Sequence, residues 1–305
     1  MFVSICIVGF RSPQEIAACL TAIARSTHRD FDVVITENGG DEAYQELIAR
    51  IPSQLEGGQP VECINAGGNL GYAGGVNACI RARPDSDAWW VVNPDTEPDP
   101  KALEALLERH AETGHHAVGS LLHFADGTAQ ALGGRWRSWI ARAESIGRGL
   151  SISRSPDPVP VEARMNYILG ASILIDREFR ERVGLMREDY FLYCEEIEWA
   201  LRAISRGVTL GFAPRSLVLH GQGGTTGSAG PIRQRNKLPI YLDERNKLHV
   251  VRDTRPIGLP IAAVATLLLL TLRYAPRGAW RQWVYAVAGW WAGIRGERGV
   301  PAWLS

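Results

Sequence analysis

The chain has 305 residues, 46% hydrophobic and 22% charged, which is enough for a packed core and excludes a disordered chain. Its 33 basic and 33 acidic side chains cancel, which argues against a general nucleic-acid binder. The cancellation is uneven: residues 233–305 carry 12 basic and 4 acidic side chains, so an acidic body bears a basic tail.

Apolar runs at 2–9, 31–37, 61–65 and 88–93 read as strands and alternate with helical patterns at 13–25, 41–50, 73–83 and 99–112. Ser12 is placed to cap the first helix, with Pro13 in its first turn. No basic n-region precedes the first strand, so the expectation is a cytoplasmic chain without a signal peptide. The alternation implies a mostly parallel α/β sheet, whose ligands sit beyond the carboxyl ends of the strands. Residues 9–11, 37–40, 65–77 and 93–99 fall there. Past about residue 116 come strand-like pieces over 117–170, with an Arg- and Gly-rich stretch at 133–154 read as a mobile loop and a turn-rich connector at 155–160. A strand at 170–175, helices at 177–183 and 195–206, and a strand at 208–212 follow. Residues 221–230 read as a flexible loop, and the tail beyond is helical. The expected organisation is a body over 1–230, in halves 1–112 and 113–230, and a tail over 231–305. Cys6, Cys19, Cys63, Cys79 and Cys194 are odd in number and lack C-x-x-C spacing, so buried inert thiols are expected rather than disulfides or zinc ligands.

Four segments carry chemistry. Asn65–Asn77 packs five glycines and three asparagines between a strand and a helix, letting backbone N–H groups approach an anion; without a ligand it is a glycine-rich turn. It contains neither G-x-G-x-x-G nor G-K-[ST]. At 89–99 an apolar strand runs into carboxylates: Asp99 fits a helix cap, while Asp95 is free to hold a hard divalent cation. At 189–199 aromatic residues lead into Glu195 and Glu196 at a helix start, where the dipole would favour their ionised form and a general base. Glu198 is spaced to pair with Arg202 in a solvated i,i+4 ion pair. His220 ends an apolar run and could complete a metal site.

In this order the segments resemble the family 2 glycosyltransferases, particularly their rhamnosyltransferase-like branch, from Val3 to about Gly227. The resemblance rests on the opening strand to Arg11, Glu37-Asn38, Asn69–Asn77, Asn93-Pro-Asp-Thr96, 170–175, 190–196 and His220. It implies a GT-A fold, a nucleotide-sugar donor, Mg²⁺ or Mn²⁺, and inversion at the anomeric carbon. On that pattern Asp95 and His220 would hold the metal, Glu196 would be the base and Glu195 would bind the acceptor. Val8, Gly9, Arg11 and Glu37 would hold the nucleoside, and Asn69, Gly71, Gly74, Gly75, Asn77 and Asn93 the rest of the donor. Three departures stand out: Glu37 replaces the usual Asp, Asn93 the first carboxylate of D-x-D, and Glu196 the Asp of a Glu-Asp pair. The expected reaction moves a sugar, dTDP-rhamnose being the first-choice donor, to a glycan or polyprenyl-linked acceptor in polysaccharide synthesis. The alternatives are a non-catalytic nucleotide-sugar sensor and a nucleotidyltransferase; residues 9–13 lack the basic, glycine-rich stretch of the latter.

The tail holds Trp280, Trp283, Trp290, Trp291 and Trp303. Residues 256–272 are 17 without charge, roughly 25 Å as a helix against a hydrocarbon core of ~30 Å. With the apolar stretch 280–294 and Arg273, Arg277 and Arg281 between, they suggest a hairpin on a membrane surface through 255–295. Packing on the body or a homodimer interface would use the same residues.

Overall fold

The computed structural model describes residues 1–221 and 231–304; most of the expected loop at 221–230 lies outside them. Strands β1 (Val3–Gly9), β2 (Phe31–Glu37), β3 (Val61–Asn65) and β4 (Ala88–Val92) alternate with helices α1 (Pro13–Ile23), α2 (Asp41–Ile48) and α3 (Gly71–Ala82). Every residue of β1 and β2 is buried, as expected of strands covered on both faces. The chain continues through β5 (Thr96–Pro98), α4 (Ala102–Thr113), β6 (Ala117–His123), β7 (Ala129–Ala131), β8 (Gly133–Arg137) and β9 (Arg142–Ile146). Then come α5 (Pro158–Glu162), β10 (Ser172–Asp176), α6 (Arg177–Val183), α7 (Glu195–Ser205) and β11 (Leu210–His220).

The main sheet runs β3-β2-β1-β4-β10-β6-β11-β5, with β7 on β6. β1–β4, β6 and β11 point one way; β10 lies antiparallel between β4 and β6, and β5 and β7 are also reversed. The sheet is therefore mixed but mostly parallel.

The stretch at 133–154 is not a loop throughout. β8 and β9 form a hairpin, with Arg135, Arg137 and Arg142 turned to solvent while Gly133, Gly134 and Trp136 face inward. Gly134 lies flat on the Tyr167 ring, where any Cβ would overlap it. The connector at 155–160 contains α5, capped by Asp157 on the Val159 N–H at 3.0 Å. β11 is one strand of 11 residues rather than two short runs, because its register shifts between Ala213 and Leu217, across Pro214, and then resumes.

The tail folds as α8 (Lys237–Thr254), α9 (Leu259–Tyr274) and α10 (Trp280–Arg295). α8 is buried along most of its length, with Glu244, Arg245, Asn246 and His249 inside. α10 packs against it so closely that a Cβ at Gly289 would overlap the Tyr241 carbonyl. α9 rests on α10 and on the turn at Ser138–Ile140.

Candidate active site

A cleft of about 1230 Å³ opens beyond the carboxyl ends of β1, β2 and β4. Val8, Phe10, Arg11, Asn38, Asn69, Gly71, Asn93, Asp95, Glu195, Glu196 and His220 all border it. Glu37 does not reach its surface. The residue is fully buried, and its Oε1 accepts the N–H groups of Arg11 at 3.0 Å and Gly39 at 2.7 Å, so it braces the two loops that form the wall. Its longer reach than Asp lets the carboxylate fold back beneath Gly9, where a Cβ would come within 2.5 Å of Oε2. Gly9 is thus behind the wall, and Phe10 and Arg11 are the groups that face the cleft.

Gly74, Gly75 and Asn77 lie away from the cleft for reasons of packing. Gly75 lets α3 sit against Val8, and Gly74 clears the Leu70 side chain. Asn77 is buried and bonds Met186 both ways, donating to its carbonyl at 2.8 Å and accepting its N–H at 3.0 Å. Gly71, at φ +72°, is required because a Cβ there would overlap the Phe191 carbonyl, which accepts the Tyr72 N–H at 2.7 Å. Much of the glycine-rich segment therefore docks α3 and the 190–194 loop.

β11 pairs antiparallel with β5, His220 opposite Thr96, and this brings the imidazole to Asp95. His220 Nε2 stands 3.3 Å from Asp95 Oδ1, and His220 Nδ1 is 2.7 Å from Oε1 of the buried Gln130 on β7. An amide oxygen only accepts, so Nδ1 carries a proton, and Nε2 is the ring nitrogen left on the Asp95 side. Asn93 Oδ1 is buried beside them with no hydrogen-bond partner among the described residues. A carboxylate oxygen and an imidazole nitrogen at the rim of one cleft suit a divalent cation of the Mg²⁺ or Mn²⁺ type. Among the described residues no group of three or more His, Cys, Asp or Glu side chains is arranged to hold a metal ion, so Asp95 and His220 are two candidate ligands.

Glu195 and Glu196 open α7 behind a contorted loop. Phe191, Tyr193 and Cys194 have φ of +67°, +73° and +69°, a conformation costing roughly 1–3 kcal/mol at each non-glycine residue. Asn246 on α8 holds it: its side-chain nitrogen reaches the carbonyls of Tyr190 at 2.9 Å, Leu192 at 2.9 Å and Tyr193 at 2.8 Å. Burial pushes the Glu196 carboxyl up to about 7, and the Asp243 charge adds to it, against the N–H groups at the helix start. Burial and the neighbouring Glu196 push Glu195 well above the usual carboxylate range, and its Oε2 is buried without a partner among the described residues. Desolvation thus outweighs the helix dipole, contrary to the expectation of two readily ionised groups. Glu198 does pair with Arg202, at 2.8 and 3.0 Å, but buried rather than solvated.

Residues 4–154 match the family model described as Glycosyl transferase family 2. This stretch of the chain is a glycosyl transferase family 2 domain. The chain is 27% identical over 230 residues to N-acetylglucosaminyl-diphospho-decaprenol L-rhamnosyltransferase of Mycobacterium tuberculosis (strain CDC 1551 / Oshkosh), covering 68% of this chain and 72% of that protein. The structure of GalNAc-T7 with UDP, GalNAc and Mn²⁺ superposes with a TM-score of 0.62 at 16% identity, over 83% of this chain and 48% of that one. The chain thus spans about half the length of that structure. Mannosyltransferase PcManGT from Pyrobaculum calidifontis, in complex with GDP-Man and Mn²⁺, superposes with a TM-score of 0.58 at 14% identity, over 97% of this chain and 87% of that one. The fold is GT-A, as the sequence resemblance implied.

Several side chains of this family 2 transferase's site carry no sequence signal of their own. Gln130 sits in a three-residue strand and Asn246 in a helix of the tail. All five cysteines are free; four are buried, and burial pushes the Cys19 thiol up to about 12, which keeps it inert.

Proposed function

We propose that this family 2 enzyme transfers a sugar, with inversion, from a nucleoside diphosphate donor to a hydroxyl of a lipid-linked or glycan acceptor. The observation that carries the reading is that Glu196 and the Asp95–His220 pair border one cleft. Asp95 and His220 would hold Mg²⁺ or Mn²⁺, which when bound neutralises charge on the leaving nucleoside diphosphate. Gln130 fixes the His220 tautomer for that duty. Phe10, Arg11 and the backbone near Asn38 would hold the nucleoside, with Glu37 bracing them from behind. Glu196 takes the proton of the acceptor hydroxyl as its oxygen attacks; a base with a pKa near the working pH is best matched to that step. Glu195, whose carboxyl burial and the neighbouring Glu196 push upward, would bind the acceptor. The rhamnosyltransferase relative supports dTDP-rhamnose as the first donor to try and a lipid-linked acceptor.

Such an acceptor lies at a membrane, and the tail offers a surface for it. Ile257, Ile261, Val264, Leu268 and Leu272 recur along one face of the α9 region, each more than half exposed. Trp280, Val284 and Trp291 extend the apolar surface onto α10; Arg273 lies in the last turn of α9, Arg277 in the connection and Arg281 in the first turn of α10. The helical stretch Pro256–Arg277 is 22 residues and contains an 18-residue window of mean hydropathy 1.8, long and apolar enough to cross a bilayer by length and composition. Its other face, Ala262, Ala263, Thr266, Leu270 and Tyr274, is buried. That packing favours a helix lying on the membrane rather than crossing it.

The test is a panel of nucleotide sugars offered to purified protein with a polyprenyl diphosphate-linked sugar, scoring released nucleoside diphosphate. Acceptor-dependent release from one donor supports the reading; none from any donor rejects it.

A further inference from the structure

We propose that the carboxyl-terminal segment 300–304 forms the lipid end of the acceptor site and grips the first isoprene units of a polyprenyl diphosphate-linked acceptor. This rests on the glycosyl-transfer reading above and adds to it the residues that recognise the acceptor's tail. A cleft of about 1230 Å³ exceeds what one small ligand fills, roughly 300–1,000 Å³. Where the 190–194 loop meets the start of α8, next to the two glutamates, the cleft wall is apolar: Leu192, Leu238, Pro239, Val300 and Leu304. Val300 and Leu304 are each 43% exposed and neighbouring Trp303 is 42% exposed. A hydroxyl-rich glycan gains nothing from such a wall, whereas a hydrocarbon chain would remove it from water.

The segment is held in place by the same elements that hold the catalytic loop. The Gly299 N–H donates to the Asp189 carbonyl at 2.7 Å, and the buried Arg245 donates to the Gly299 carbonyl at 2.8 Å. Trp303 meets Tyr241 edge-on with centroids 5.7 Å apart, and Lys237 Nζ lies 3.8 Å from the Trp303 ring centroid. Arg235 borders the cleft two residues before Lys237, so cationic groups flank the apolar wall where a diphosphate would join sugar to tail. This mouth is also tied to the α9–α10 corner: Arg233 donates to the Arg277 carbonyl at 2.7 Å, and Gln282 donates to the Arg233 carbonyl at 2.7 Å. A chain leaving a bilayer at that corner would enter the wall directly.

The test compares wild type with the double variant Val300→Ser, Leu304→Ser, both at exposed positions that do not hold the core. Each is given the same sugar diphosphate carrying either a farnesyl or an ethyl tail. We expect the farnesyl-to-ethyl ratio of kcat/KM to fall about tenfold, matching partial loss of two apolar contacts. Inhibition by farnesyl diphosphate should weaken relative to inhibition by inorganic diphosphate. An unchanged ratio together with unchanged farnesyl diphosphate inhibition overturns the assignment while leaving glycosyl transfer standing. Wild type that turns over neither acceptor with any donor overturns both.

Discussion

The side-chain nitrogen of Asn246 lies 2.8 Å from the Tyr193 carbonyl, and that bond ties a helix of the tail to the loop that leads into Glu195 and Glu196. The same nitrogen reaches the carbonyls of Tyr190 and Leu192, so one side chain spans a strained turn and supplements its backbone hydrogen bonds. Asn246→Ala removes the side-chain donor from the Leu192 and Tyr193 carbonyls, at about 1–3 kcal/mol for each one left buried and unpaired, while the Tyr190 carbonyl keeps the Leu192 N–H. The expected result is a lower melting temperature and a fall in kcat of at least about tenfold, read by thermal denaturation and steady-state turnover. A variant with wild-type kcat would show that the loop keeps its shape without the clamp.

His220 turns Nε2 to the Asp95 side because the Gln130 side-chain oxygen accepts the Nδ1–H hydrogen bond. Gln130→Leu removes that acceptor, and the apparent affinity for Mn²⁺ should fall about 10–100-fold, as for other partners that orient a ligating histidine. Asp95→Ala should cost about 10²–10³ in turnover. Metal titration of the activity, with EDTA as the zero point, reads both; full wild-type activity in EDTA would remove the metal from the account.

The order of strands and motifs in the first 112 residues was legible because β1–β4 are short apolar runs between helices with amphipathic patterns. Asp95 and His220 were legible as candidates, since each ends an apolar strand, although their meeting depends on the β11–β5 pairing that no local pattern shows. The antiparallel entry of β10 was hidden for the same reason: a buried strand reads alike in either direction. Glycines misled. Gly74 and Gly75 look like ligand-facing positions but make room for Leu70 and Val8. The hairpin at 133–146 was read as a loop because its glycines face the core while its arginines face water. Asn246 gives no signal at all, because a polar residue in a basic helix looks solvated until the loop it clamps is in view.

Truncation of the tail near residue 253 would uncover α8, since α10 covers it through Gly289 and Gly293. Point changes on the exposed face are the better probe of membrane attachment. Ile261→Asp with Leu268→Asp places two charges on that face, and the variant should fail to float with anionic liposomes that carry wild type. Equal flotation would assign the apolar face another partner.

Glu196 carries its pKa from about 4.5 in the unfolded chain to about 7 in the fold, so the folded state binds its proton more tightly. This group's contribution to stability is therefore fullest below the unfolded value and is lost as pH rises through about 7. Glu196→Gln cannot ionise and escapes that loss. The variant should melt at a higher temperature than wild type at pH 8, with the gap closing toward pH 5. A gap that widens as pH falls would place the carboxylate in a stabilising, ionised role.

The central claim is that Glu196 removes the acceptor proton, and the pH dependence of turnover at saturating donor and acceptor tests it most directly. Wild-type kcat should rise with pH and level off above about 7, while Glu196→Gln should lose about 10²–10⁴ in kcat and its dependence on a group of that pKa, with donor binding retained. A Glu196→Gln enzyme that keeps wild-type turnover and the same rise near pH 7 would contradict the account.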